Sequence, residues 1–144
     1  MKTADQIKTV AIIGNGLMGQ GISQVFSRAG KDVCLIGRNA DSLSRAMGAI
    51  EKNYAAFVDR KVTPRDVAEG AFAKITPTTD YDAASSADFV IEAVPAVRET
   101  QIEVFGRLDA VCAPEIILAS TSGQPVSLMV GQMNHPERAI AARF

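Results

Sequence analysis

Short apolar runs alternate along the chain with longer segments whose apolar residues recur every three or four positions. The short runs, which predict strands covered on both faces of a parallel sheet, are at residues 10–13, 33–36, 88–95, 115–120 and, as the start of another strand, 139–144. The longer segments, which predict helices, are at residues 17–29, 40–59 and 100–111. The alternation predicts an α/β fold with a doubly wound, mostly parallel sheet and helices on both faces.

Weaker patterns fill the remaining segments. Residues 61–74 predict a turn and a short helix, and residues 126–133 predict another short helix before a loop. Asp41 or Ser42 is expected to cap the N-terminus of the helix at 40–59, because both side chains accept hydrogen bonds from free N–H groups.

The first apolar run leads directly into a glycine-rich turn, Gly-Asn-Gly-Leu-Met-Gly, whose third glycine lies within the first helical pattern. In a strand, turn and helix of this kind, the first glycine permits a sharp turn and the second leaves no Cβ between backbone and diphosphate. The third lets the helix pack closely on the strand. The helix N-terminus adds unpaired N–H groups that favour an anion. The pattern therefore predicts a Rossmann dinucleotide-binding turn with cofactor contacts at Gly14, Asn15, Gly16, Leu17, Met18 and Gly19.

Three stretches together resemble the 3-hydroxyacyl-CoA dehydrogenase family. They are residues 14–22 with their Leu-Met-Gly and Gly-Ile pairs, Ile-Glu-Ala-Val-Pro at 91–95, and Ser-Thr-Ser-Gly at 120–123. The resemblance covers nearly the whole chain and implies a short strand at 75–80 followed by a small helix at 81–87. It also implies a helical second domain that forms a homodimer and is absent here, so residues 1–144 are expected to be a Rossmann domain that is truncated at its C-terminus.

The end of the second strand bears on the choice of nicotinamide cofactor. In NAD-binding domains, an acidic residue about 20 positions beyond the glycines bonds the ribose hydroxyls. The position that is acidic in the resembling family is Gly37 here, and Arg38 follows. A guanidinium can hold a 2′-phosphate through two charge-assisted hydrogen bonds. We therefore predict NADP as the cofactor, with contacts at Gly37 and Arg38. NAD is the alternative if Arg38 is only a solvated loop residue.

The strand at 88–95 delivers a second group of candidate residues to the carboxyl edge of the sheet, where open parallel sheets bind ligands. Val94 and Pro95 are predicted to contact the cofactor. Glu92 either contacts the site or anchors neighbouring backbone N–H groups, and the residues alone leave both alternatives open.

Hydride transfer from a secondary alcohol needs a group that takes the hydroxyl proton and usually a donor that polarises the oxygen. The resemblance implies that Ser122 is the catalytic serine and a cofactor contact, and that Arg143 occupies the position of the catalytic histidine. Arginine keeps its proton and is no base, but it can hold a carboxylate or polarise a carbonyl. Two cofactor-contacting positions of the family also differ, with Ala96 replacing a glutamate and Gln101 a lysine.

Charge and composition exclude several classes of partner. Fifteen basic and 16 acidic residues leave a net charge of −1, which gives no electrostatic signature for nucleic acid or an anionic membrane. No apolar run approaches the roughly 20 residues of a membrane span, and residues 1–8 lack a signal-peptide core, so a cytoplasmic protein is predicted. Cys34 and Cys112 are predicted to be buried or half-buried thiols, and His135 is predicted to be a solvated loop residue. The spacing of these residues does not indicate a metal site.

These observations predict the nucleotide-binding portion of an oxidoreductase that transfers a hydride between NAD(P) and a 3-hydroxy acid or 3-hydroxyacyl-CoA. The partner is then a small molecule, and the 144-residue chain is expected to bind nucleotide with little or no turnover. The alternative is a catalytically silent dinucleotide-binding sensor or structural relative, which Arg143 and the two replaced contacts favour.

Overall fold

Six parallel strands form one sheet in the computed structural model, which describes residues 2–144. The strands are β1 (Thr9–Ile13), β2 (Asp32–Ile36), β3 (Ile75–Thr78), β4 (Phe89–Glu92), β5 (Ile117–Ser120) and β6 (Ala139–Ala141). Their order is β3-β2-β1-β4-β5-β6. The chain winds outward from β1 to β3 and returns to place β4 on the other side of β1. The order therefore reverses between β1 and β4, which is the point where sheets of this kind bind ligands.

Within residues 2–144, four α-helices cover the two faces of the sheet. They are α1 (Leu17–Arg28), α2 (Ala40–Asp59), α3 (Arg65–Ala73) and α4 (Arg98–Val111), with short 3₁₀ turns at Ala4–Gln6, Tyr81–Ser86, Val126–Leu128 and Pro136–Arg138. Val10 and Ile12 of β1 belong to a core with α1, α2 and α3, whereas Ala11 and Ile13 belong to a second core with α4. Alternate residues of one strand thus enter different cores, which confirms the prediction from the uninterrupted apolar runs.

Two local predictions were wrong. The N-cap of α2 is Asn39, whose extended backbone lets its side chain accept the Ser42 N–H at 2.8 Å, so neither Asp41 nor Ser42 caps this helix. The helix predicted at 126–133 is only the 3₁₀ turn Val126–Leu128, because Gly131 disfavours continuation and Met129 alone of this segment is fully buried.

Other features of the described residues agree with the sequence. Cys112 is buried and Cys34 half-buried, and burial raises the pKa of both thiols. Among residues 2–144, no helix combines the length and the apolar character that a bilayer crossing requires.

A buried ion pair fastens the loop before β6 to the C-terminal end of α4. Arg138 is 6% exposed, and its Nε and Nη2 both donate to Oδ1 of Asp109, at 3.1 and 2.6 Å. The Asp109 Oδ2 accepts the backbone N–H groups of Asn134 and His135. Burial alone would raise the pKa of Asp109, but Arg138 and these N–H donors hold it below its usual value. The pair thereby fixes the edge strand β6.

Candidate functional site

A cleft of about 730 Å³ opens at the carboxyl ends of β1, β2 and β4, where the strand order reverses. Nine of the predicted cofactor contacts line it: Gly14, Asn15, Gly16, Leu17, Met18, Gly37, Arg38, Val94 and Pro95. The sequence pattern therefore located the cleft, because these residues lie at strand ends that the parallel sheet brings to one edge.

The glycine turn forms the floor of the cleft, and each of its glycines meets a different steric demand. Gly14 has φ +110°, and a Cβ there would lie 2.5 Å from the Ala93 carbonyl oxygen. A Cβ at Gly19 would lie 1.8 Å from the carbonyl oxygen of Gly14, so Gly19 packs beneath the cleft and does not line it. A Cβ at Gly16 would meet no protein atom within 4 Å. Only at Gly16 is the missing side chain left as space for a ligand.

The N-terminus of α1 faces this space. Its N-cap is Gly16, which has no side chain to accept the free N–H groups of the first turn. Leu17 and Met18 are 86% and 46% exposed despite being large and apolar. Free N–H groups beside exposed apolar surface suit a ligand that combines an anionic group with a ring system.

Basic residues line the β2 side of the cleft. Arg38 follows β2, and Arg45 lies on α2 one turn beyond Ser42. Within residues 2–144, neither guanidinium forms an ion pair, and both side chains are exposed. The Ser42 Oγ accepts the Asn15 Nδ2–H at 3.0 Å, which ties the glycine turn to α2. Sequence reasoning missed Ser42 and Arg45, although their three-residue spacing within the first turns of a helix is a signal that could have identified them.

Gly37 is closely packed. A Cβ at this position would lie 2.8 Å from Cγ of Leu43 and 3.0 Å from Cγ of Asn15. A carboxylate side chain therefore cannot enter at position 37 unless Leu43 or Asn15 moves.

Three further residues of the cleft were also missed by sequence reasoning. Tyr81, Val97 and Thr100 line the cleft. The Arg107 guanidinium carbon lies 4.1 Å from the centroid of the Tyr81 ring, a cation–π arrangement that holds the ring in place. No local motif marks Tyr81, because its position depends on how the 3₁₀ turn Tyr81–Ser86 packs against α4.

Glu92 is buried at the end of β4. Its carboxylate accepts the Val94 N–H at 2.8 Å, the Ser120 hydroxyl at 2.6 Å and the Gln101 Nε2–H at 3.3 Å. Burial raises the pKa of Glu92, and the hydrogen bonds from Ser120, Val94 and Gln101 offset part of this rise. The structure thus favours the anchoring role over direct contact with a ligand, and Glu92 does not line the cleft.

Ser122 lies just beyond the end of β5, and Arg143 contacts the next residue, Gly123; neither lines the cleft. Ser122 is 9% exposed, and its Oγ accepts the Gln124 N–H at 3.2 Å. The exposed Arg143 donates from Nη2 to the Gly123 carbonyl oxygen at 3.1 Å. This corner offers a hydroxyl and a guanidinium, but His135 is elsewhere, beside Glu137 in the loop before β6. The roles assigned to Ser122 and Arg143 stay predictions.

Comparison with known proteins connects this geometry to a family. The profile described as "3-hydroxyacyl-CoA dehydrogenase, NAD binding domain" matches residues 9–144. The 3-hydroxybutyryl-CoA dehydrogenase of Bradyrhizobium diazoefficiens is 36% identical over 139 residues, which are 96% of this chain and 47% of that protein. The 3-hydroxyadipyl-CoA dehydrogenase of Escherichia coli K12 is 32% identical over 96% of this chain and 29% of its own length. The chain therefore spans less than half the length of these relatives.

The same similarity is found among solved structures. The crystal structure of 3-hydroxybutyryl-CoA dehydrogenase from Escherichia coli K12 superposes with a TM-score of 0.92 and 31% identity. The match covers 96% of this chain and 30% of that one.

Proposed function

The chain belongs to the family of NAD-binding domains of 3-hydroxyacyl-CoA dehydrogenases, and we propose that it is the nucleotide-binding portion of an oxidoreductase acting on a 3-hydroxy acid or its coenzyme A thioester. The observation that carries this proposal is the cleft over the glycine turn, floored by Gly14 and Gly16 and faced by the N-terminus of α1. The nicotinamide nucleotide supplies the carbon that accepts or gives the hydride.

The residues of the cleft fit a dinucleotide. The open space above Gly16 and the free N–H groups of α1 suit a diphosphate, since backbone and anion can approach closely there. Leu17, Met18 and Val97 expose apolar surface at the mouth of the cleft, where rings can pack. The volume of about 730 Å³ lies within the usual range for cofactor sites.

We propose further that the nucleotide is NADP in preference to NAD. Gly37 leaves no carboxylate to bond the ribose hydroxyls, and its close packing against Leu43 opposes one. Arg38 and Arg45 line the same side of the cleft, and neither is neutralised by an ion pair within residues 2–144. Two unpaired guanidinium groups attract a 2′-phosphate, which NAD lacks.

Replacing Arg38 with leucine is expected to weaken NADP binding roughly 10- to 100-fold, the value of one or two charge-assisted hydrogen bonds. NAD binding is expected to change by less than about threefold, because no 2′-phosphate contact is lost. Titration calorimetry with both nucleotides measures the two effects. Arg60→Leu is the matched control, since Arg60 is an exposed arginine at the opposite end of α2. Equal losses for NADP and NAD in Arg38→Leu would contradict the preference.

Ser122 and Arg143 are the residues we propose to act on the substrate. The Ser122 hydroxyl is a donor for the substrate oxygen, and the Arg143 guanidinium can hold a carboxylate or polarise a carbonyl. Because Arg143 cannot accept a proton, the whole protein is expected to oxidise 3-hydroxyacyl-CoA slowly compared with a protein that has histidine at this position.

Arg143→His in the whole protein that contains this chain is therefore expected to raise the rate of 3-hydroxybutyryl-CoA oxidation by about 100-fold or more, the usual contribution of a general base. The measurement is NAD(P)H formation at saturating nucleotide, with free 3-hydroxybutyrate as a second substrate. Arg60→His serves as the control, because it places histidine at the exposed C-terminal end of α2. The unmodified protein and the Arg143→His variant could both bind nucleotide without transferring hydride to either substrate. That result would favour the catalytically silent dinucleotide-binding alternative.

A further inference from the structure

One buried carboxylate, that of Glu92, joins two loops that have separate tasks. The loop at 93–97 forms a wall of the cleft, and the loop at 121–124 carries Ser122. We propose that Glu92 is a positioning residue that holds the nucleotide-side loop and Ser122 in a fixed relation through a single hydrogen-bond network. The inference rests on the proposed function only for the part that Ser122 takes in the chemistry.

One branch of the network leads to the glycine turn. Oε1 of Glu92 accepts the Val94 N–H at 2.8 Å and so orients the peptide group between Ala93 and Val94. The Ala93 carbonyl oxygen lies directly against Gly14, where an added Cβ would come within 2.5 Å of it. Ala93 also donates its N–H to the Ile13 carbonyl oxygen at 2.8 Å. The geometry that Glu92 imposes on Ala93 therefore sets the space in which Gly14 turns.

The other branch leads to Ser122. The carboxylate accepts the Ser120 hydroxyl at 2.6 Å, and the Ser120 Oγ in turn accepts the Ser122 N–H at 3.1 Å. An ionised carboxylate only accepts hydrogen bonds, so Ser120 must donate to Glu92 and must present its lone pairs to Ser122. When Glu92 is ionised, its charge fixes the direction of each of these bonds. Backbone pairing of Thr121 N–H with the Glu92 carbonyl oxygen at 3.0 Å holds the same junction.

The burial of Glu92 supports a positioning role. Its residue exposure is 1%, and within residues 2–144 no cation forms an ion pair with it. Burying a carboxylate that has only neutral donors lowers the stability of the fold relative to an apolar side chain of the same size, because the charge loses its hydration. Hydrogen bonds to a charged acceptor are roughly twice as strong as bonds between neutral groups. They therefore hold the two loops in position more firmly than neutral bonds would. Gln101 supplies the third donor, while its Oε1 is buried without a partner in the described part of the chain.

The test substitutes one residue of the network and follows the amide resonance of a residue on the other branch, by NMR of the ¹⁵N-labelled chain. Glu92→Gln is expected to shift the Ser122 amide resonance and to speed its hydrogen exchange about three- to tenfold, as expected for the loss of a bond near 1 kcal/mol. Ser120→Ala keeps the carboxylate and is expected to shift the Val94 amide, which is 26 residues away in sequence. Thr121→Ala is the matched control, because the Thr121 side chain lies outside this network, and it should leave Val94 unchanged.

Each outcome decides the proposal. If Glu92→Gln leaves Ser122 unchanged, or if Ser120→Ala affects Val94 no more than Thr121→Ala does, Glu92 does not couple the loops. If Glu92→Gln fails to fold, the Ser120→Ala and Thr121→Ala comparison decides alone. Titrating the unmodified chain with NADP and NAD separates this proposal from the proposed function. If the substitutions shift the Ser122 and Val94 resonances as expected but the unmodified chain binds neither nucleotide, the network is supported and the proposed function is overturned.

Discussion

Replacing Gly19 with alanine is expected to lower the free energy of unfolding by about 3 kcal/mol and to weaken nucleotide binding at least 100-fold. The added Cβ would lie 1.8 Å from the Gly14 carbonyl oxygen. No rotamer change relieves this clash, because the backbone fixes the positions of both atoms. Gly14 cannot move away, since its N–H bonds the Ile36 carbonyl oxygen at 2.8 Å and its own Cα faces Ala93. The helix must therefore shift off β1, which moves its N-terminal N–H groups away from the diphosphate position.

Gly21 of the same helix provides the matched control. A Cβ at Gly21 would meet no atom within 4 Å, so Gly21→Ala is expected to raise stability by about 0.5–1 kcal/mol through helix propensity alone. Urea unfolding followed by circular dichroism measures both variants, and calorimetry measures nucleotide affinity. If Gly19→Ala is as stable as Gly21→Ala and binds nucleotide normally, the close contact between α1 and the glycine turn is wrong.

The second large effect concerns stability. Arg138→Met is expected to lower the free energy of unfolding by about 3–5 kcal/mol at neutral pH, because it leaves the carboxylate of Asp109 buried without its cation. The variant also loses the hydrogen bonds that Arg138 donates to backbone carbonyl oxygens at the end of α4, among them those of Ala113 and Cys112. Arg98→Met is the control, since Arg98 is an exposed arginine at the start of α4 and should change stability by less than about 1 kcal/mol.

The pH dependence of this effect has a definite sign. In the unmodified protein the pKa of Asp109 is lowered on folding, so its contribution to stability is present above the ordinary Asp value and is lost as pH falls through the folded value. Without Arg138, only the N–H groups of Asn134 and His135 oppose the effect of burial on the pKa of Asp109, so the stability gained from its ionisation is smaller or absent. The difference between the two proteins should therefore be larger at about pH 7 than at about pH 3. A difference that is constant with pH would contradict the account of this ion pair.

The strands and the nucleotide turn could be predicted from the sequence because their causes are local. The apolar run of β1 is uninterrupted since Val10 and Ala11 enter different cores. The glycine spacing records close approaches of backbone to backbone, which any side chain would block, so Gly14 and Gly19 were identified without knowledge of the partners they meet.

Other parts of the site could not be predicted because they depend on tertiary packing. Arg45 and Tyr81 reach the cleft only through the way in which α2 and a 3₁₀ turn lie over the sheet. The role of Glu92 was undecided because its partner Ser120 is 28 residues away, on a neighbouring strand. The sequence predicted Asp41 or Ser42 as the cap of α2 and did not consider Asn39, because only backbone conformation distinguishes these three side chains.

Titration calorimetry of this chain with NADP and with NAD tests the central claim most directly. We expect one molecule of either nucleotide to bind per chain, NADP with a dissociation constant on the order of 10 μM and NAD about tenfold more weakly. Gly19→Ala should bind neither measurably under the same conditions. If NAD bound with the same affinity as NADP, the proposed role of Arg38 would be overturned, but the dinucleotide site would not. If neither nucleotide binds the unmodified chain at concentrations up to about 1 mM, the cleft above Gly14 and Gly16 is not a dinucleotide site.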